Sequence, residues 1–186
     1  MNRNNLIAVK ELERDTVSEA GNNLFPVFIK LENLRVLIIG GGNVGLEKLQ
    51  AVIQNSPAAT IRLVSLTVHE KINKLRQHHP NISIEQRSYV ITDMDNADIV
   101  IAAVNNITTS EQIRDDAHKQ SKLVNVADKP ELCDFYLSSV VKKGNLKIAI
   151  STNGKSPTIA KRLKEVINNL IPDEVDDVLE NMQLIR

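Results

Sequence analysis

Cysteine is almost absent from this chain: Cys133 is the only one in 186 residues. No internal disulfide can form, and nothing in the cysteine usage points to an oxidising compartment. Long hydrophobic runs are missing too, and no apolar stretch approaches the ~20 residues of a bilayer-spanning helix. Met1-Asn2-Arg3-Asn4-Asn5 is followed by no apolar run and no small-residue cleavage site, so no secretory signal is expected. These absences point to the cytoplasm, with no membrane partner. Net charge is missing as well: 23 basic and 23 acidic residues cancel, which argues against a general polyanion binder such as a nucleic-acid protein. Metal-ligand spacing is lacking. His78 and His79 are adjacent and would project about 100° apart on a helix; His69 and His118 stand alone, and no H-x-x-x-H or C-x-x-C pattern occurs. No metal site is expected. There are no internal repeats and no low-complexity segments.

What is present suits one globular domain with an appendage, at 42% hydrophobic and 25% charged residues. The chain is organised around Leu34-Arg35-Val36-Leu37-Ile38-Ile39-Gly40-Gly41-Gly42-Asn43-Val44-Gly45. The apolar run lacks alternation, as in a central parallel strand buried on both faces. Gly40, Gly42 and Gly45 fall at G-x-G-x-x-G spacing, and a helix follows with Val44, Leu49, Val52 and Ile53 on one side. In that order the glycines serve a tight turn, close approach of a pyrophosphate, and helix–strand contact, with the phosphates facing the helix N-terminus. A glycine-rich connector is the plainer reading; the strand–loop–helix order favours a dinucleotide.

Further strands are expected at Thr60–Ser65, Ile82–Glu85, Asp98–Val104 and Leu123–Val126. Helices are expected at His69–Arg76 and, capped by Thr108 or Thr109 with Glu111 or Gln112 completing a capping box, up to Lys119. Leu24–Ile29 reads as an edge segment around Pro26, and residues 1–22 as a loosely attached helix or disordered arm. The alternation makes a Rossmann-type, doubly wound parallel α/β sheet, with ligands at the carboxyl ends of its strands. After Val126 the pattern changes. Tyr136–Lys142 and Lys147–Ser151 read as a β-hairpin, Ser156-Pro157 as a helix start, and Val175, Val178, Leu179 and Met182 as the stripe of a last helix from Asp173. A hairpin and two amphipathic helices, too small to fold alone, suggest pairing with a second copy.

Several pieces taken together resemble the precorrin-2 dehydrogenase family, the dehydrogenase part of siroheme synthases. They are Leu24-Phe25-Pro26-Val27-Phe28, Val36 to Val44, Ile101-Ala102-Ala103, Asn125-Val126-Ala127-Asp128, and Ile150 to Pro157, in matching order across about residues 24–170. The resemblance implies NAD-dependent oxidation of precorrin-2 to sirohydrochlorin by a homodimer, in some members with insertion of Fe²⁺ as a second substrate. With these pieces the chain is expected to divide into an N-terminal extension over 1–22, without a counterpart in the family, an NAD-binding domain over 23–135, a dimerisation segment over 136–155 and a helical region over 156–186. The family's NAD-lining residues match Asn43, Val44, Leu66 and Thr67, and its catalytic acid matches Asp128; the expected cofactor site also takes in Gly40, Gly42 and Gly45 of the glycine loop, Ser65, Ala103 and Asn105. Val104-Asn105 stands where the family often has a polar pair containing an acid, so no acid is carried over there. A fused methyltransferase domain, found in some relatives, is not expected here.

Two features of the residues bear on that expectation. The usual acid at the end of the second strand is replaced by Ser65, whose hydroxyl, with that of Thr67, could hydrogen-bond the ribose; no arginine follows the strand to demand a 2′-phosphate. Between Asp134 and Glu165 there is no acidic residue, while Lys142, Lys143, Lys155 and Arg162 are basic and are the candidates for binding a multiply carboxylated tetrapyrrole. Asp128, taken by itself, is equally an Asx-turn residue ahead of Lys129-Pro130. A short-chain dehydrogenase is excluded because Asp93 and Val140 stand where lysine would follow Tyr89 and Tyr136. The remaining alternative is a regulatory, NAD(P)-sensing Rossmann module without catalysis.

Overall fold

The computed structural model describes residues 21–185. The expectation of a helix or arm over residues 1–22 falls, for residues 1–20, outside them. Within the described residues a parallel sheet is built from β1 (Arg35–Gly41), β2 (Thr60–Val68), β3 (Ile82–Glu85), β4 (Ile99–Ala102) and β5 (Leu123–Val126), in the order β3-β2-β1-β4-β5. The helices between strands are α1 (Asn43–Asn55), α2 (Glu70–His78) and α3 (Ile107–Lys119); a 3-10 turn, Ile91–Asn96, connects β3 to β4. The strand order reverses beside β1, which opens a crevice at the carboxyl ends of β1 and β4.

β1 shows why its run does not alternate. Val36 and Ile38 enter one core with Leu49, Val52 and Ile53 of α1, while Leu37 and Ile39 enter the opposite core with Ile113 and Ala117 of α3. Each face of the strand is covered by a helix, so every position must be apolar. One position on α1 departs from expectation. Val44 is only partly buried and faces the crevice, and Leu46 takes the core place.

Other boundaries also moved. β2 extends to Val68 because its pairing with β1 resumes, past an irregularity between Ile39 and Gly41, at Gly41 opposite Val68. Leu66 and Thr67 therefore lie on the strand. The cap of α3 is Asn106, whose side-chain oxygen accepts from the Thr109 N–H at 2.9 Å, so Thr109 is the donor at this cap. Leu24–Ile29 forms no strand. Pro26 has no N–H to offer a ladder, and Phe25, Val27 and Phe28 remain exposed.

The antiparallel pair β6 (Ser139–Lys143) and β7 (Leu146–Ile150) turns at Gly144-Asn145. Helix α4 (Pro157–Leu170) packs on it, starting at Ser156, whose hydroxyl accepts from the Ile159 N–H at 3.2 Å. Helix α5 (Val175–Leu184) is fastened to the turn by Asp176, which accepts from the Asn145 backbone at 2.6 Å and its side-chain amide at 2.9 Å. Among the described residues no helix is long and apolar enough to cross a membrane.

Candidate functional site

The crevice at the ends of β1, β2 and β4 has a volume of about 670 Å³. Gly40, Gly41, Gly42, Asn43, Val44, Ser65, Leu66, Thr67, Ala103 and Asn105 line it together. Gly40 has φ +109°, and a Cβ there would sit 2.2 Å from the Ala103 carbonyl oxygen. Gly45 lies behind the wall, where a Cβ would meet the Gly40 carbonyl oxygen at 2.1 Å; its role is contact between helix and loop. At Gly42, by contrast, a Cβ would meet nothing within 4 Å. That open cradle lies at the N-cap of α1, which has no side chain to satisfy the first N–H groups of the helix. A pyrophosphate fits such a cradle, so the residues present suit a dinucleotide.

The end of β2 is arranged differently from the sequence expectation. The Ser65 hydroxyl accepts from the Gly41 N–H at 2.8 Å and donates to the Thr67 carbonyl at 2.7 Å. Its one proton is engaged by the Thr67 carbonyl while its oxygen holds the glycine loop to β2, leaving it only as an acceptor for a ribose hydroxyl. An arginine is also present. Arg87, just past β3, lines the crevice with Ser88 and Tyr89. Sequence reading missed it because it looked past β2, and the neighbouring strand supplies it. Its two terminal nitrogens donate to Asp93 at 2.8 and 2.6 Å, to Glu85, and to the Ser88 carbonyl at 3.0 Å. With those donors engaged inside the protein, the terminal nitrogens of Arg87 are not free to fork a 2′-phosphate.

Asp93 is the hub of that arrangement, 2% exposed and paired with both Arg87 and Arg62. Burial by itself would raise its carboxyl. Hydrogen bonds from Arg87, the Val90 N–H and Arg62 outweigh it and bring the group down to about 2. Tyr89 hydrogen-bonds Asp116 at 3.1 Å; burial, then the Asp116 charge, pushes its phenol well above the usual range.

A second cleft, of about 240 Å³, opens at the end of β5 between the sheet and the β6–β7 segment. Asp128 lines it from the turn after β5, exposed and with φ +60°, an uncommon conformation for a residue with a Cβ. The other charged residues of its lining are Lys48, from α1, and Lys129. Cys133 lies in the same wall, its thiol pushed up chiefly by burial. Asn125, on β5, carries its side-chain amide to the Phe135 carbonyl at 2.8 Å and so holds the far side of the cleft.

The basic window does not gather at this cleft. Lys143 is largely buried and pairs with Asp173 at the start of the α5 segment. Arg162 is exposed on α4 and pairs with Glu165 at 3.1 Å. Lys142 is exposed on β6, and Lys155 is exposed in the loop where its neighbour Gly154 borders the cleft. Nearness in sequence became dispersal in space because hairpin and helix turn these residues to different sides. The histidines serve local structure: His69 caps α2 by accepting from the Lys71 N–H, and His118 pairs with Asp134 at 3.0 Å. Among the described residues no group of three or more His, Cys, Asp or Glu is placed to hold a metal.

Comparison with known proteins fits this geometry. The family model described as "Putative NAD(P)-binding" matches residues 27–139, and that of the sirohaem biosynthesis protein central region matches residues 143–170. The chain is 35% identical over 164 residues to the precorrin-2 dehydrogenase of Bacillus subtilis, covering 88% of this chain and 99% of that protein. It is 37% identical over 150 residues to a siroheme synthase of Psychrobacter cryohalolentis, covering 81% of this chain and 28% of that one, so it spans under a third of such longer relatives. The solved structure of SirC, a precorrin-2 dehydrogenase, shares the fold at a TM-score of 0.68 and 23% identity, over 84% of this chain and 76% of that one. With a full-length relative at that identity and a dinucleotide-binding model across most of the sheet, the chain belongs to the precorrin-2 dehydrogenase family.

Proposed function

We propose that this chain oxidises precorrin-2 to sirohydrochlorin with NAD⁺. The observation that carries the reading is the placement of two clefts on the carboxyl edge of one sheet, one bearing the glycine cradle and the other Asp128. NAD⁺, when bound, supplies the acceptor for the hydride that leaves a reduced ring carbon. Gly42 and the first turn of α1 hold its pyrophosphate, Ser65 and Thr67 face its ribose, and Ala103 and Asn105 border the crevice on the β4 side. Asp128 takes the proton released from the substrate, its carboxylate being exposed in the wall of the second cleft.

Support for a homodimer comes from the C-terminal elements. Ile159, Leu163 and Val166 on α4, and Val178, Leu179 and Met182 on α5, are exposed apolar side chains at helical spacing. A second copy would cover them. Insertion of Fe²⁺ into sirohydrochlorin is a second proposed activity, with Asp128 accepting a pyrrole proton. Lys155 is the window residue we retain as a substrate contact, because it adjoins the cleft. The compartment we propose is the cytoplasm.

The test is a spectroscopic assay with precorrin-2 made in situ and NAD⁺, following reduced nicotinamide and sirohydrochlorin absorbance together, with Fe²⁺ added in a second cuvette. Turnover supports the dehydrogenase, and siroheme formed faster than without protein supports the chelatase. Dinucleotide binding without turnover would replace this reading with a nucleotide-sensing one. An Asp128→Ala protein that binds NAD⁺ and keeps its full rate would remove Asp128 from the reaction.

A further inference from the structure

Lys48 belongs to neither the glycine loop nor the basic window, yet it stands in the wall of the Asp128 cleft. It reaches there from α1, the helix whose first residues, Asn43 and Val44, line the dinucleotide crevice. Lys48 lies five positions after Asn43, about 7.5 Å along a helix axis. One rigid element thus touches both clefts.

The surroundings of its ammonium leave it available. The Lys48 side chain is 18% exposed, so its stem is packed away. Its ion pair is with Glu47 at 2.9 Å, a carboxylate 71% exposed and adjacent in sequence. Neighbours in sequence do not face each other on a helix, and such exposed pairs contribute little. The half-buried Cys133 thiol in the same wall is pushed up chiefly by burial, and Lys48 is the smallest of the influences on it, acting downward. Among the residues lining this cleft, two are basic, Lys48 and Lys129, and one is acidic, Asp128. A ligand suited to it carries carboxylates of its own.

We propose that Lys48 binds a side-chain carboxylate of the tetrapyrrole, so that α1 positions the macrocycle relative to the dinucleotide. The inference rests on the proposed function for the identity of the ligand. Lys48 is here a substrate-binding residue, and Asp128 keeps the proton.

The experiment compares wild-type protein with Lys48→Gln and Lys48→Arg. Three quantities are read: the NAD⁺ dissociation constant, KM and kcat for precorrin-2, and sirohydrochlorin binding by absorbance without turnover. Lys48→Gln is expected to raise KM and the sirohydrochlorin dissociation constant about tenfold, the scale of one charge-assisted contact, with kcat falling by less than KM rises. NAD⁺ affinity is expected to stay within about twofold of wild type. Lys48→Arg is expected to restore most of the loss, and the salt dependence of sirohydrochlorin binding to weaken in Lys48→Gln. An unchanged KM and sirohydrochlorin affinity in Lys48→Gln overturns the proposal. So does parallel loss of NAD⁺ affinity, which marks a structural role. If wild-type protein binds sirohydrochlorin but does not oxidise precorrin-2, the dehydrogenase reading fails while the titration still decides on Lys48; if it binds no sirohydrochlorin, this proposal fails with it.

Discussion

Substituting Gly42 by alanine adds a methyl group to open space on a backbone at φ −79°, which alanine adopts freely. The fold should not notice. The dinucleotide should, because the methyl occupies the cradle in front of the α1 N-terminus. We expect Gly42→Ala to melt within a degree or so of wild type while losing about tenfold or more in NAD⁺ affinity, roughly 1.4 kcal/mol. Gly40→Ala is the contrasting case. Its φ of +109° and the Ala103 carbonyl 2.2 Å from the new Cβ make it a folding defect, expected at about 3 kcal/mol or more by denaturant unfolding. Loss of affinity in Gly42→Ala only together with loss of stability would refute the separation of the two roles. The glycines were readable as a set, but their spacing alone does not say which one meets the ligand and which ones meet the protein.

At the scale of elements, β2, β3 and the 3-10 turn Ile91–Asn96 are tied by Arg62, Glu85, Arg87 and Asp93. The Asp93 carboxyl ionises at about 2 in the folded chain, below its ordinary value near 4. A lowered folded value means a stabilising contribution that is complete above the unfolded value and is lost as pH falls through the folded one. We expect on the order of 2 kcal/mol from this group at neutral pH, disappearing between about pH 4 and 2. Urea unfolding at pH 7 and pH 3 checks it, since Asp93→Asn should be destabilised at pH 7 and show a shallower decline in acid. None of this network was legible in the sequence, because its members are separated by up to 31 residues and meet only through parallel register. β1 and β4 were legible, since burial on both faces leaves a continuous apolar run. The end of β2 was not, because it depends on an irregularity of its pairing with β1 between Ile39 and Gly41.

For the whole molecule, the sheet and both clefts form one edge, while the C-terminal helices carry apolar faces outward. Sedimentation should find a dimer, and Leu163→Glu with Val178→Glu should shift it to monomer at micromolar concentration; a wild-type monomer would end that part of the proposal. The basic window of the sequence does not gather at the cleft proposed for the substrate. The lysines that line it come from α1 and from the turn after β5, and nothing local marks them.

The placement of the two tyrosines has an optical consequence. The chain has no tryptophan, so its near-ultraviolet emission comes from the phenols of Tyr89 and Tyr136. Tyr89 stands in the wall of the dinucleotide crevice and Tyr136 in that of the Asp128 cleft. Each cleft thus contains its own native fluorophore. In Tyr89→Phe and Tyr136→Phe proteins, the remaining emission reports on one cleft at a time, and stopped-flow quenching would reveal which ligand arrives first.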